Sequence, residues 1–549
     1  MKHRLSWILV FLVVLGLCLP AGAEPVVSGT QGNIVILYTN DMHCAIGGNI
    51  GLDGVAGLKK HYQDIGDSVV LVDAGDAIQG EPIGTLSAGA SVVEVMNAAG
   101  YDFATPGNHE FDYGMDNFLT LAGELAQYTY LSCNFTDLLT GQPVFAPYAI
   151  VEMAGKKVAF MGISTPRTLT STTPAFFKDA QGEYIYGFCQ DLTGEALYAC
   201  VQATADAARA EGADYVIALA HLGIAYDECT PYTSSEVIVA TSGIDAVLDG
   251  HSHSVIEGEI VINKDGADVL LTSTGTKLNS VGTLIITPDG VMSSFLTRRY
   301  VDADVTKLIG EINAKHRETL AQVVAQTDVP LVINEPSTIG TDNVVRIVRN
   351  AETNLGNLCA DAYRFVSGAD IAFVNGGGVR ADIAAGEITY NNILTVHPYG
   401  NEMCVIEASG QQILDALETG ARAVPAENGG FLQVSGLTYE IHTYIESSVV
   451  MDEVGMFTHV DGEYRVKNVK VGGEDLVLDK IYTLASHNFM LKSGGDGMAM
   501  FLGSPLLQDS VMLDNQVLMN YIIDGLGGIV GEQYADPYGE GRIIAVTEP

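Results

Sequence analysis

The stretch Thr105-Pro106-Gly107-Asn108-His109-Glu110-Phe111-Asp112-Tyr113-Gly114 puts an amide oxygen, an imidazole and two carboxylates side by side. Gly and Pro bound it, so these groups sit on a shaped loop rather than a helix. Four more short stretches carry metal-type side chains, each following an apolar run: Asp41 with His43, then Asp76, then His221, then His251 with His253. A mixed His/Asp/Asn set suits borderline divalent cations such as Zn²⁺ or Mn²⁺ better than thiolate-demanding ions. Seven groups are too many for one ion. Two ions sharing a carboxylate use all seven, with Asp76 the natural bridge. Such a pair, about 3.5–4 Å apart, activates a water and holds an oxyanion. Each residue alone has an ordinary explanation: Asp41 or Asp76 could cap a helix, and a lone histidine such as His221 is more often a satisfied core residue. The repetition of one arrangement five times carries the reading. His251 and His253, two apart, share a side of an extended backbone, which favours joint ligation.

The elements that position these groups alternate. Asn33 to Tyr38 is a near-continuous apolar run, as expected of a strand buried on both faces. Residues 54–63 look helical, 67–72 form a second strand, 91–99 a helix, and 101–104 a short strand feeding the loop above. Residues 157–163, 214–220 and 244–249 are further strands, with an Ala-rich helix over 195–211. This order indicates a layered α/β domain, with ligands gathered beyond the carboxyl ends of its strands. Near Asp302 the texture changes. Val305 to Ala325 is polar and helical, a bridge and hinge candidate. From Pro330 a second α/β domain is expected, with helices over 352–365 and 411–419, a strand over 371–374, and β-rich segments between Phe431 and Leu484.

In that second part Asn375-Gly376-Gly377-Gly378-Val379-Arg380 follows a strand. Three glycines let a ligand approach the backbone, or simply make a tight turn. The spacing is neither a dinucleotide fingerprint nor a P-loop. With only 27 Lys and Arg in 549 residues, Arg346, Arg349 and Arg380 near such turns stand out.

The formal charge of −40 repels nucleic acid polymers and anionic membranes. A small anionic substrate then needs a locally positive site, which bound cations supply. Lys2 and Arg4, the apolar run 7–19 and Ala21-Gly22-Ala23 read as a secretory signal, so residues 1–23 are expected to be removed and the protein to lie outside the cytoplasm. No membrane span is expected after cleavage. Cys44, Cys133, Cys189, Cys200, Cys229, Cys359 and Cys404 then remain, an odd count. Cys189 could bridge Cys200, or either could bridge Cys229. Oligomeric state is not written in the sequence.

Asn40-Asp41-Met42-His43, Gly75-Asp76, Gly107-Asn108-His109-Glu110-Phe111-Asp112, His221-Leu222-Gly223 and Gly250-His251-Ser252-His253 resemble the motifs of the calcineurin-like metallophosphoesterases. The chain is similar to their secreted 5′-nucleotidase family from about Asn33 to Ile544. The resemblance implies a four-layer α/β/β/α metallophosphoesterase domain over 33–302, a linker helix over 303–329, and an α/β substrate-binding domain over 330–546. It implies one cation on Asp41, His43, Asp76 and His253, and another on Asp76, Asn108, His221 and His251. His109 and Asp112 match the catalytic dyad. Arg380, in the motif that begins at Asn375, together with Arg349 and Arg346, would grip anionic oxygens. Tyr399 and Phe489 would sandwich a base and Asp496 would hold a ribose. Cys44, directly after His43, departs from the pattern; packing is the favoured reading of its thiol. The implied activity is release of phosphate from nucleoside 5′-monophosphates, with UDP-sugars or NAD cleaved at the pyrophosphate by the same site. A 2′,3′-cyclic-nucleotide phosphodiesterase with 3′-nucleotidase activity is the alternative, and a nucleotide-binding surface protein without chemistry a more distant one.

Overall fold

The computed structural model describes residues 32–548, apart from 225–229, 288–289, 297, 342–343 and 510. The signal segment, Cys18 and Cys229 therefore lie outside the described residues.

Ile34–Thr39 and Ser68–Asp73 are buried at every position. Successive side chains of a strand point to opposite faces, so such runs need cover on both sides. The two strands pair in parallel, Ile34 with Ser68 through Thr39 with Asp73. They lie inside a six-stranded sheet in the order 290–296, 281–287, 34–39, 68–73, 103–104, 129–130. A second six-stranded sheet runs 255–262, 268–274, 246–249, 215–221, 156–164, 148–153. Ile34, Ile36 and Tyr38 meet Phe160, Ile217 and Leu219 between the sheets. Val35, Leu37 and Leu71 face outward onto helices Gly51–Asp64 and Ala90–Ala99. On the far side Ala159, Met161 and Val216 face helix Glu195–Ala210. The period-two alternation thus builds four layers, helix, sheet, sheet, helix. Strands 148–153, 255–262 and 281–287, at or next to the sheet edges, run antiparallel to their neighbours, which the apolar runs alone do not reveal.

Helix Ala303–Leu320 is capped by Asp302, whose carboxylate accepts the N–H groups of Asp304 and Val305. The helical reading to Ala325 is corrected here: Val323–Thr327 is a strand that pairs with Gly386–Thr389. Consecutive β-branched Val323 and Val324 favour that outcome. Nor is the helix a free-standing bridge. Val305, Ile309 and Ile312 are buried in the same core as the 51–64 and 90–99 helices. The chain enters the sheets of the second half only at Val323.

The second half centres on a five-stranded sheet in the order 432–435, 371–375, 481–487, 403–409, 506–508. Ala372 and Val374 face one core, with helix Asn354–Ser367. Ile371 and Phe373 face another, with helix Gly410–Ala421. Among the described residues, no helix is long and apolar enough to cross a membrane.

Candidate metal centre and substrate cavity

The expected ligands sit where the parallel strands of the first half end. His221 closes strand Tyr215–His221, and Asp41, Asp76 and His251 follow Thr39, Asp73 and Asp249 by two or three residues. The chain turns sharply there. Asp41, His43, Asp76, His251 and His253 all adopt φ between +46° and +77°. Left-handed backbone costs a residue with a Cβ roughly 1–2 kcal/mol, and such positions cluster at functional sites. This corrects the reading of His251 and His253 as neighbours on an extended backbone. Positive φ breaks the alternation, and the two imidazoles turn to different places.

Two clusters result. Ligand atoms of Asp41, His43 and His253 lie within 4.8 Å of one another, and so do those of Asp76, His221 and His251. His43 Nε2 is 2.9 Å from His253 Nε2, and His253 Nε2 is 3.5 Å from Asp41 Oδ1. His221 Nε2 is 3.1 Å from Asp76 Oδ2. The donor chemistry fits divalent cations. His43 Nδ1 meets the carbonyl of Gln79 at 3.0 Å, and His221 Nδ1 meets that of Ala74 at 2.7 Å. A carbonyl only accepts, so Nδ1 carries the proton and Nε2 presents a lone pair, the usual arrangement for a ligating imidazole. Asn108 Oδ1 and His221 Nε2 are buried without a hydrogen-bond partner, although Asn108 belongs to neither three-residue cluster.

Electrostatics points the same way. Burial pushes the Asp41 carboxyl up to about 7, with Asp76 adding to the rise. Burial alone would lower His221, but the Asp76 and Asp41 carboxylates carry it up to about 10. Buried carboxylates are thus calling for positive charge, which a proton supplies in the absence of a cation. His251, held chiefly by burial and then by the neighbouring His221, drops to about 3 and stays neutral.

His109–Phe111 forms a 3₁₀ turn, in which residues three apart eclipse. His109 Nδ1 therefore meets Asp112 Oδ2 at 2.6 Å, and its Nε2 lies 4.0 Å from Asp76 Oδ2. Burial disfavours charge on His109, yet the Asp112 and Asp76 carboxylates outweigh it and raise its pKa. Two supporting residues were missed in the sequence. Glu110, fully buried, accepts the N–H groups of Asp76, Ala77 and Gly107 at 2.6–2.9 Å and ties the two ligand loops together. Asn40 donates to Asp41 Oδ2 at 2.7 Å while its own oxygen takes Thr274 N–H and O–H. Close approach also explains Gly107, where a Cβ would fall 2.3 Å from Asp76 Oδ1.

A cavity of about 230 Å³ opens over this centre and is roofed by the second half. Asp76, Asn108, His109, Asp112, His251 and His253 line it from below; Arg346, Arg349, Asn375, Arg380, Tyr399, Phe489 and Asp496 line it from above. All seven expected substrate residues therefore reach one space. Asn375 Nδ2 donates to Asp496 Oδ2 at 2.6 Å, and Asp496 itself is left-handed at φ +56°. Arg346 is held by Glu427 through Nε at 2.6 Å. Arg380 lies over the Tyr399 ring at 5.8 Å. Arg167 and Arg422 also line the cavity and were not anticipated. Arg167 follows strand Lys156–Ser164 by three residues, the same strand-end position that marks the ligands.

Cys44 is buried, and burial pushes its thiol well above the usual range, as fits a packed residue. Cys189 and Cys200 are free thiols.

Comparison with known proteins gives two family matches: "Calcineurin-like phosphoesterase" over residues 34–255 and "5′-nucleotidase, C-terminal domain" over 323–503. The 5′-nucleotidase of Vibrio cholerae is 28% identical over 557 residues, covering 92% of this chain and 93% of that one. The trifunctional nucleotide phosphoesterase protein YfkN of Bacillus subtilis is 27% identical over 575 residues, covering 94% of this chain but only 35% of its own length. The solved 5′-nucleotidase precursor of Thermus thermophilus superposes with a TM-score of 0.76 at 25% identity, over 94% of this chain and all of that one.

Proposed function

The chain belongs to the metal-dependent phosphoesterases that join a calcineurin-like domain to a 5′-nucleotidase C-terminal domain, and from that premise we propose that it releases phosphate from nucleoside 5′-monophosphates at a two-cation centre. The observation that carries this reading is one cavity lined by His253 of one ligand cluster, by Asp76 and His251 of the other, and by Asn375, Tyr399, Phe489 and Asp496. In it a phosphate can face the clusters while its nucleoside lies in the second half.

Asp41, His43, Asp76 and His253 would hold one cation and Asp76, Asn108, His221 and His251 the other, with Zn²⁺ or Mn²⁺ suited to these donors. Bound there, the pair supplies Lewis acidity toward phosphoryl oxygens and a lowered pKa for water. The rest is the work of the chain. Asp112 fixes the His109 tautomer and favours the imidazolium, so Nε2–H donates to a phosphoryl oxygen as charge builds there. Arg380 and Arg349 supply planar donors to the same anion. Tyr399 and Phe489 offer flat faces for a base, worth roughly 1–3 kcal/mol per stack and tolerant of base identity.

Five arginines line the cavity, Arg167 and Arg422 beyond the expected three. That surplus favours a second substrate class, nucleotides with a pyrophosphate link such as UDP-sugars. Cyclic 2′,3′-nucleotides remain the alternative. Residues 1–23 support a location outside the cytoplasm.

The test is a panel of AMP, 3′-AMP, cyclic 2′,3′-AMP and UDP-glucose with Mn²⁺ or Zn²⁺. Turnover of AMP above 3′-AMP is expected. Hydrolysis of only the cyclic and 3′ compounds would move the assignment to the alternative.

A further inference from the structure

A second cavity, about 140 Å³, lies behind the first. His253, Arg346, Arg349 and Arg380 line both spaces and form the wall between them, while His43 faces only the second. Lys277 also lines it. Among the described residues the Arg380 guanidinium makes no hydrogen bond or ion pair, so its charge is available to whatever enters from either side. Lys277 is mounted on the metal centre itself. Its backbone is left-handed, φ +54°, and its N–H donates to the carbonyl of Asp41 at 2.9 Å. Thr276 O–H donates to the same carbonyl at 2.8 Å. The Lys277 ammonium, 47% exposed, reaches Glu81 Oε1 at 2.9 Å, and Glu81 N–H is bonded to the carbonyl of His43. Lys277 thus lines this cavity while its ion-pair partner Glu81 stands beside it, each hydrogen-bonded through its own N–H to the backbone of an expected ligand.

Four cations around so small a space are unusual in a chain with 67 acidic residues against 27 Lys and Arg. Neutral hydrocarbon or a cation would be poorly served there; a compact tetrahedral oxyanion is well served. Hydrolysis of a nucleotide leaves two products of different shape. The nucleoside occupies the second half, across the wide cavity, and the phosphate forms beneath it at the clusters. We propose that the second cavity binds inorganic phosphate, giving the anionic product its own site and exit across the arginine wall from Tyr399, Phe489 and Asp496, which line only the first cavity. This rests on the nucleotidase reading above.

The experiment uses the full chain loaded with Mn²⁺ and saturated with α,β-methylene-ADP, a nucleotide whose P–C–P link resists hydrolysis, so that the main cavity is filled. Calorimetric titration with inorganic phosphate should then still show one site per chain. Lys277→Gln should weaken that binding about fivefold or more, as removing one partly solvated charge contact does. Glu81→Gln should tighten it, because Lys277 is released from its partner; this opposite sign cannot come from a misfolded loop. In turnover assays phosphate and adenosine should inhibit together rather than exclude each other. No phosphate binding in the analogue complex, or Lys277→Gln and Glu81→Gln both leaving the affinity unchanged, overturns the proposal. Failure of the nucleotidase reading shows separately, as absence of binding when the Mn²⁺-loaded chain is first titrated with α,β-methylene-ADP alone.

Discussion

His109 and Tyr399 stack across the boundary between the two halves, with ring centroids 5.6 Å apart and planes inclined by 25°. The dyad imidazole is therefore covered by a ring that the proposed function assigns to the base. A base that stacks on the face covered by His109 has to separate the two rings, whereas one on the opposite face leaves them in contact. Tyr399→Phe keeps the flat face and should change the KM for AMP by less than about twofold, whereas Tyr399→Ala should raise it about tenfold, the loss of one stack. Equal effects from both variants would show that the hydroxyl, not the ring, matters.

The 2.6 Å contact between His109 Nδ1 and Asp112 makes these two act as a unit. His109→Ala should lower kcat by about 10²–10⁴-fold with little change in KM, and Asp112→Asn by less. The double variant should be no worse than His109→Ala alone, since residues that act together are not additive. Steady-state kinetics on the three proteins decides this.

Chelation should abolish turnover and lower the Tm, because the buried carboxylates Asp41 and Asp76 then lose their counter-charge. Elemental analysis after reloading should find two cations per chain. His221→Ala should leave one, held by the cluster of Asp41, His43 and His253. Two cations retained in His221→Ala would break the assignment.

A Cβ at Gly455 would sit 3.5 Å from Thr170 Oγ1, across the two halves. Thr170→Cys with Gly455→Cys should therefore cross-link on oxidation, at a strain of about 1–2 kcal/mol for the φ of +82° at Gly455. Oxidised protein should turn over slowly and recover with dithiothreitol. Full activity of the cross-linked form would show that no relative motion of the halves is needed.

Asp514 is 1% exposed, and burial pushes its carboxyl up to about 8 against hydrogen bonds from Asn515 and Asn401 that pull the other way. Below the ordinary aspartate range, near pH 4, folded and unfolded chains are both protonated there. As pH rises toward 8 the unfolded chain gives up its proton first, so stability falls, by at most about 1.4 kcal/mol per pH unit. Asp514→Asn removes that term. Its Tm should gain on the parent steadily between pH 5 and 8; a constant difference would refute the buried neutral acid.

The layered first half was legible because its strands are continuous apolar runs, and a strand such as Ile34–Thr39, buried at every position, needs two covers. The ligands were legible because each ends such a run. What escaped was long-range or conformational. Strand 281–287 looks in composition like the strands that pair in parallel elsewhere in its sheet, and only its partners give it the antiparallel direction. The left-handed turns at His251 and His253 leave little local signal, since histidine enters that region more often than most residues yet still only rarely. Glu110 stood inside the opening motif, yet its task of gathering three N–H groups depends on residues 33 and 34 positions away. The end of the helix at Leu320 was missed because Ala321 and Gln322 carry no stop signal and the two valines after them make too short a run to announce a strand, while the partner strand 386–389 lies far along the chain.

Five ligands share a backbone twist that an isolated peptide would avoid. No cage exists in a nascent or unfolded chain, because those turns are imposed by the two sheets coming together around Tyr38 and Phe160. Cations bind only the assembled cage, so their binding free energy adds directly to the stability of the fold.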